Sequence, residues 1–127
     1  STRGTAPEAG IDLEPDHERE RLQNIVVRNS VFENNSGNGM LVYLRPLSRN
    51  SDPVSIRFEN CLSRMSPGSA SGGAGMVVGG VREDGPQGLI EFVNCTSEDT
   101  AREAVRVYDK YASSVKVRFV NCHWRSP

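Results

Sequence analysis

Apolar and polar residues alternate along this chain in short bursts, and the bursts return. "RFENC" at 57–61, "EFVNC" at 91–95 and "RFVNC" at 118–122 share one frame, and "IVVRN" at 25–29 is a degenerate fourth copy. Two and four residues before each asparagine stand Val27 and Ile25, Phe58 and Ile56, Phe92 and Ile90, then Phe119 and Val117. A period of two predicts a strand with one buried face. The anchors Asn29, Asn60, Asn94 and Asn121 are 31, 34 and 27 residues apart.

A second phrase interleaves with the first: "GIDL" at 10–13, "GMLV" at 39–42, "GMVV" at 75–78 and "AVRV" at 104–107. The two keep step, so the unit is strand, loop, strand, asparagine turn, short strand, loop. Length varies in "RPLSRNSDP" at 45–53, "SRMSPGSASGG" at 63–73 and "REDGPQG" at 82–88, which are rich in turn formers. Units of this length with short strands and no helical period predict a coil that stacks on itself, each turn adding one strand to each of several parallel sheets. A leucine-rich repeat would need leucines at fixed positions, which are missing. A β-sandwich could use such strands but would not predict the same asparagine once per unit.

Stacked in register, Asn29, Asn60, Asn94 and Asn121 are expected to form a buried ladder of side-chain amides, at a bend whose left-handed backbone asparagine tolerates. The next residue turns inward, giving a column of Ser30, Cys61, Cys95 and Cys122. No paired CxxC spacing supports a metal or redox site. Thiols stacked in parallel point the same way rather than toward each other, so three reduced, buried cysteines are expected.

The recurring "GΦxΦ" and "ΦxΦxN" strands, with Φ apolar, resemble the right-handed parallel β-helix of pectate-lyase-like proteins over residues 10–124. The resemblance implies an all-β solenoid of about four rungs, spanning 10–127 after a polar segment at 1–9. Many activities share this scaffold, so it says little of chemistry. Four rungs are few for a substrate groove and no capping helix is evident, so a fragment of a longer solenoid is expected, or ends that pack on neighbouring rungs or other copies.

Composition narrows the partners. Among 127 residues, 15 basic side chains face 16 acidic ones, which is not the charge footprint of a nucleic-acid binder. No apolar run is long enough to predict a membrane span, and no leader pattern is present. The first residue, Ser1, is not methionine, so a processed or excised piece is expected.

The outward positions of the asparagine strands alternate in charge and predict a solvated face. The outward positions of the other sheet read Asp12, Leu41, Val77, Arg106, then Glu14, Tyr43, Gly79, Tyr108, with Arg45, Asp109 and Lys110 just beyond. Gly79 and Gly80 predict a shallow gap in the middle. Tyr43 and Tyr108 would suit sugar rings, and Arg45 or Arg106 a uronate carboxylate. The richest cluster is "GIDLEPDHE" at 10–18. Its Asp12, Glu14 and Asp16 could hold calcium, and His17 beside Asp16 could act as general acid or base. The stretch is similar to the Asp-Pro-His-acid motif of alginate epimerases, although the order here is Pro-Asp-His-Glu. "GIDLEP" is also similar to a phrase of bacterial β-helix proteins in which the acidic pair caps the loop. His123, beside Trp124, reads as packing. Of the sequons at Asn34 and Asn94, the second belongs to the ladder. No P-loop, nucleophile elbow or HExxH is present.

Two functions are left open. One is an extracellular or periplasmic lyase or C5-epimerase on an acidic, uronate-containing polysaccharide. It would use His17, Asp16 and Tyr108 for proton transfer and Arg106 for charge neutralisation, with Tyr43, Arg45, Asp12 and Glu14 holding substrate and either no cofactor or calcium. The other is a non-catalytic carbohydrate-binding, adhesion or structural segment of a larger surface protein, with Tyr43 and Tyr108 as platforms.

Overall fold

A computed structural model describes residues 9–33, 38–64, 75–98, 105–107 and 115–125. Among them lie twelve strands and no helix: β1 (Ala9–Leu13), β2 (Ile25–Arg28), β3 (Val31–Glu33), β4 (Asn38–Tyr43), β5 (Val54–Glu59), β6 (Leu62–Arg64), β7 (Met76–Gly79), β8 (Gly88–Val93), β9 (Thr96–Glu98), β10 (Val105–Val107), β11 (Val115–Val120) and β12 (His123–Arg125). They form three four-stranded sheets, ordered β1-β4-β7-β10, β2-β5-β8-β11 and β3-β6-β9-β12. Every pairing among the described residues is parallel. The chain is a parallel β-solenoid of four rungs, each giving one strand to each sheet.

The register is that of the repeated phrases. Ile25, Ile56, Ile90 and Val117 pair in succession, as do Val27, Phe58, Phe92 and Phe119. Ile56, Phe58, Ile90 and Phe92 are at most 2% exposed. The phenyl rings stack: Phe58 and Phe92 lie 4.9 Å apart and 4° from parallel, Phe92 and Phe119 5.1 Å apart and 10° from parallel. Rung spacing dictates this geometry, because residues paired in a parallel sheet sit one strand spacing apart with their side chains aligned. Outside, Glu59 meets Arg28 and Arg57, each at 3.1 Å, and Arg118 lies 3.7 Å from Glu91. On the third sheet Arg64 reaches Glu33 at 3.7 Å and Glu98 at 3.2 Å. These exposed pairs contribute little each.

The corner between the second and third sheets is two residues long in every rung. Asn29, Asn60, Asn94 and Asn121 adopt φ of 50°, 53°, 53° and 51°. The backbone amide of each of the first three donates to a carbonyl on the neighbouring rung: Glu59 at 2.9 Å, Val93 at 3.0 Å and Val120 at 2.8 Å. The ladder of hydrogen bonds thus continues round the bend. One expectation is corrected: the asparagine side chains, Asn94 included, are exposed rather than buried. A left-handed residue at the outer edge of a tight bend points away from the core, and its inward neighbour is the serine or cysteine.

The small residue that opens the first-sheet phrase has a cause the sequence did not show. A Cβ on Gly10 would lie 2.5 Å from the Phe32 Cβ, and one on Gly39 would lie 1.8 Å from the Ser63 Oγ and 2.6 Å from its Cβ. The first and third sheets touch there, and no side chain fits between them.

Two outcomes test this packing. Phe92→Ala is expected to cost about 3–5 kcal/mol, the usual loss for a buried aromatic, read as a lower urea midpoint; a loss below about 1 kcal/mol would show that the ring stack is not core. Asn60→Gly is expected to leave the midpoint nearly unchanged, whereas Asn60→Ala lowers stability by about 1 kcal/mol through left-handed strain. Equal effects of the two substitutions would contradict the account of the bend.

Candidate functional site

Outward side chains of the first sheet were the expected site, and its middle is closed. Val77 is 1% exposed although it points away from the core, and β7 is buried along its whole length. The expected gap at Gly79 and Gly80 is filled, because the Tyr43 ring lies where a Cβ on Gly80 would sit, 2.7–2.9 Å from it. Gly80 also has φ +72°, so glycine is required twice over. Tyr43 is therefore half-buried packing against backbone rather than an open platform.

The ends of this sheet stay open but stand apart. Asp12 on β1 and Arg106 on β10 are exposed. Three strand spacings separate them by register, about 14 Å at ~4.8 Å per strand. Glu14, Asp16, His17 and Arg45 are exposed in the segments following β1 and β4. Tyr108, Asp109, Lys110 and the sequon at Asn34 lie outside the described residues. Arg106 and His17 are not brought together. Among the described residues no three of His, Cys, Asp and Glu gather as a metal site would require.

His17 belongs to a turn that satisfies itself. Its Nδ1 accepts from the Arg19 amide at 3.3 Å, and its Nε2 lies 3.8 Å from a Glu20 carboxylate oxygen. The same carboxylate accepts the Asp16 amide at 2.7 Å, and the Glu20 amide donates to the His17 carbonyl at 3.2 Å. Pro15, buried at the end of β1, stops the strand and starts the turn. The imidazole side chain is 65% exposed, and it meets Arg19 and Glu20 of its own turn.

The loops joining the first sheet to the second, 14–24, 44–53 and 80–87, stack as the strands do. The Leu44 amide donates to Gly79 at 3.0 Å, Arg49 to Asp84 at 2.6 Å and Ser55 to Leu22 at 2.7 Å. Leu22, Leu44, Leu47 and Val81 fill the corner beneath. The buried Ser48 hydroxyl donates to the Glu18 carboxylate and accepts from the Asn50 amide at 3.1 Å. The Ser51 hydroxyl donates to the Glu18 carbonyl at 2.7 Å and accepts from the Ser48 amide at 3.0 Å. Arg21 pairs with Asp52 at 2.6 Å. Between the first two loops opens a depression of about 310 Å³, lined by Glu18, Arg19, Arg21, Asn50, Ser51 and Asp52. Of these six only Glu18 figured in the sequence reading, as the last residue of the Pro-Asp-His-Glu stretch. The available signal was that both loops hold the same place in consecutive units and both carry paired charges, "ERER" at 18–21 and "RNSD" at 49–52.

Cysteines 61, 95 and 122 are all free. Each thiol lies between two carbonyls, one on the preceding rung and one two residues back. Cys61 reaches Val27 and Glu59, both at 3.4 Å; Cys95 reaches Phe58 and Val93, both at 3.5 Å; Cys122 reaches Phe92 at 3.1 Å and Val120 at 3.6 Å. Cys122 is half-buried, where burial was expected. Burial pushes the Cys95 thiol from 9.0 up to about 12, and the neighbouring thiols of Cys61 and Cys122 add to the rise against a lowering by backbone hydrogen bonds. Cys95 is therefore a packing group held in the protonated form, not a nucleophile.

No protein-family model matches the chain, and neither curated proteins nor solved structures show a significant match to it.

The thiol column predicts a pH dependence. Folded Cys95 keeps its proton above 9.0, where the unfolded thiol loses it, so stability is full below that pH and falls through the window from 9 to 12. The slope from one thiol is about 1.4 kcal/mol per pH unit. Urea midpoints from pH 8 to 11 should fall more steeply for the native chain than for Cys95→Ala; parallel profiles would refute the assignment. Maleimide labelling of the native chain should modify Cys122 before Cys61 or Cys95.

Proposed function

We propose that the chain is a non-catalytic, carbohydrate-directed segment of a right-handed parallel β-helix of the pectate-lyase-like kind, outside the cytoplasm. The recurring phrases, the three parallel sheets and the left-handed asparagine at every described corner support that fold. On this reading the exposed amides of Asn29, Asn60, Asn94 and Asn121 form a ladder along the outer edge of the bend.

The observation that carries the function is the separation, among the described residues, of His17 from Arg106. Abstracting the C5 proton of a uronate needs a base and a carboxylate-neutralising cation around one sugar ring, within hydrogen-bond reach of it. His17 is engaged in its own turn after the first rung, and Arg106 stands on the fourth. The chain supplies a rigid spine with polar loops, which suits binding. The lyase or epimerase reading keeps one supporting observation: His17 directly precedes Glu18 and Arg19 on the wall of the loop depression. An acidic polysaccharide could reach the base there, with Arg19 in place of Arg106, and calcium would then have to be held by substrate as well as protein.

Alginate and pectate incubated with the chain, with calcium or with EDTA, should yield no unsaturated product by ultraviolet absorbance and no epimerised residue by proton NMR. The chain should be retained on a panel of insoluble polysaccharides. Turnover that disappears in His17→Ala would overturn the non-catalytic reading and install the enzyme.

A further inference from the structure

Loop residues 18–21 and 50–52, rather than the sheet face, hold a depression whose walls are preorganised and still carry unspent hydrogen-bonding groups. We propose that it is the ligand site of this chain and that its ligand is a neutral sugar residue of a glycan, recognised through vicinal hydroxyls. The proposal rests on the carbohydrate-directed reading above and names its site and ligand class.

Preorganisation comes from cross-rung links. Ser48 and Ser51 tie the second loop to Glu18, Arg21 ties the first loop to Asp52, and the Ser55 amide bonds to the Leu22 carbonyl. Ordering the walls in advance lowers the entropic cost of binding. Unspent capacity lies on two side chains. Among the described residues neither the Arg19 guanidinium nor the Asn50 side-chain amide has a hydrogen-bond partner, although both line the space. Asn50 can donate and accept, while Arg19 offers a planar fork of donors. Asp52 and Glu18 each add a carboxylate, with lone pairs beyond those used by Arg21 and Ser48.

The charge balance selects the ligand. Two guanidinium groups and two carboxylates line one wall set, so an anion meets Glu18 and Asp52 and a cation meets Arg19 and Arg21. An apolar ligand finds mostly polar surface and no apolar side chain among the six lining residues, unlike the sites that such ligands use. A pair of sugar hydroxyls, each a donor and an acceptor, matches alternating donors and acceptors without net charge. The volume of about 310 Å³ is at the small end of the ~300–1,000 Å³ range of small-molecule sites, which suits a short stretch of glycan.

The test is a ¹⁵N–¹H NMR titration of the whole chain with cellotriose, maltotriose, xylotriose and mannotriose, and separately with trigalacturonate. The expected result is saturable shifts confined to residues 18–21 and 48–52 with at least one neutral trisaccharide. Arg19→Ala and Asn50→Ala should each weaken that binding about five- to tenfold, as loss of one or two hydrogen bonds does. Lys116→Ala, on the outer face of β11, should leave it unchanged; the spectra themselves report whether each variant is folded. Shifts elsewhere on the solenoid would overturn the site while leaving carbohydrate binding intact. Shifts at these loops with trigalacturonate alone would overturn the neutral-ligand assignment. Silence with every sugar would overturn both this proposal and the reading on which it rests.

Discussion

Each residue of a parallel solenoid sits about 4.8 Å above its counterpart, and that spacing governs everything else in this chain. A side chain cannot choose its neighbour; it receives whatever the sequence places one unit earlier and one unit later. Inward columns must therefore be made of residues that pack on their own kind. Phe58, Phe92 and Phe119 do so face to face at 4.9 and 5.1 Å. Outward columns must avoid stacking like charges. Glu33, Arg64 and Glu98 solve this by alternation, and so do Arg57, Glu91 and Arg118 on the second sheet.

The same constraint limits where chemistry can be assembled. A binding or catalytic site needs several unlike groups around one space, whereas regular columns stack like on like inside and spend opposite charges on one another outside. Room for such a group opens where the repeat is broken. The asparagine corner is not such a place, because it is two residues long in every rung and its backbone amides are committed to the ladder. The corner between the first and second sheets is different. Its loops vary in length and sequence, so Glu18 can meet Ser48 and Arg21 can meet Asp52 across rungs without either pair recurring. Residues 18–21 and 50–52 thus gather unlike groups for a topological reason before a chemical one.

That asymmetry also explains what could be read from the letters. The strand register tied to the asparagine anchor was legible, down to the pairing of Ile56 with Ile90 and Phe58 with Phe92, because period-two patterning and a fixed anchor determine register. Contacts perpendicular to the columns were not. Nothing in "GMLVY" announces that the Tyr43 ring folds over Gly80, and nothing in "GMVV" shows that Val77 is covered on its outward side. The burial expected for Asn94 failed for a related reason. Laddering predicts which residues share a column, while the curvature of the bend decides whether the column faces core or solvent. The loop depression was hidden because its contacts join residues about 30 positions apart in segments with no pattern to align.

The two columns of small residues show how finely the spacing is enforced. Cys61 and Cys95 fill the bend beside Asn60 and Asn94, while Ser63 and Ser97 fill the third sheet two residues later. Both pairs are buried, and the thiols have carbonyls within reach; among the described residues the hydroxyls of Ser63 and Ser97 have no hydrogen-bond partner. An unsatisfied buried hydroxyl costs roughly 1–3 kcal/mol, which an alanine would avoid and a larger residue would avoid differently. A larger residue is barred by Gly39, whose backbone leaves no room beside Ser63 for even a Cβ of its own. The opening glycine of one phrase and the serine of the other are therefore one packing solution. It follows that the glycine of the "GΦxΦ" phrase records the close approach of the first and third sheets and carries no information about a ligand on the outer face.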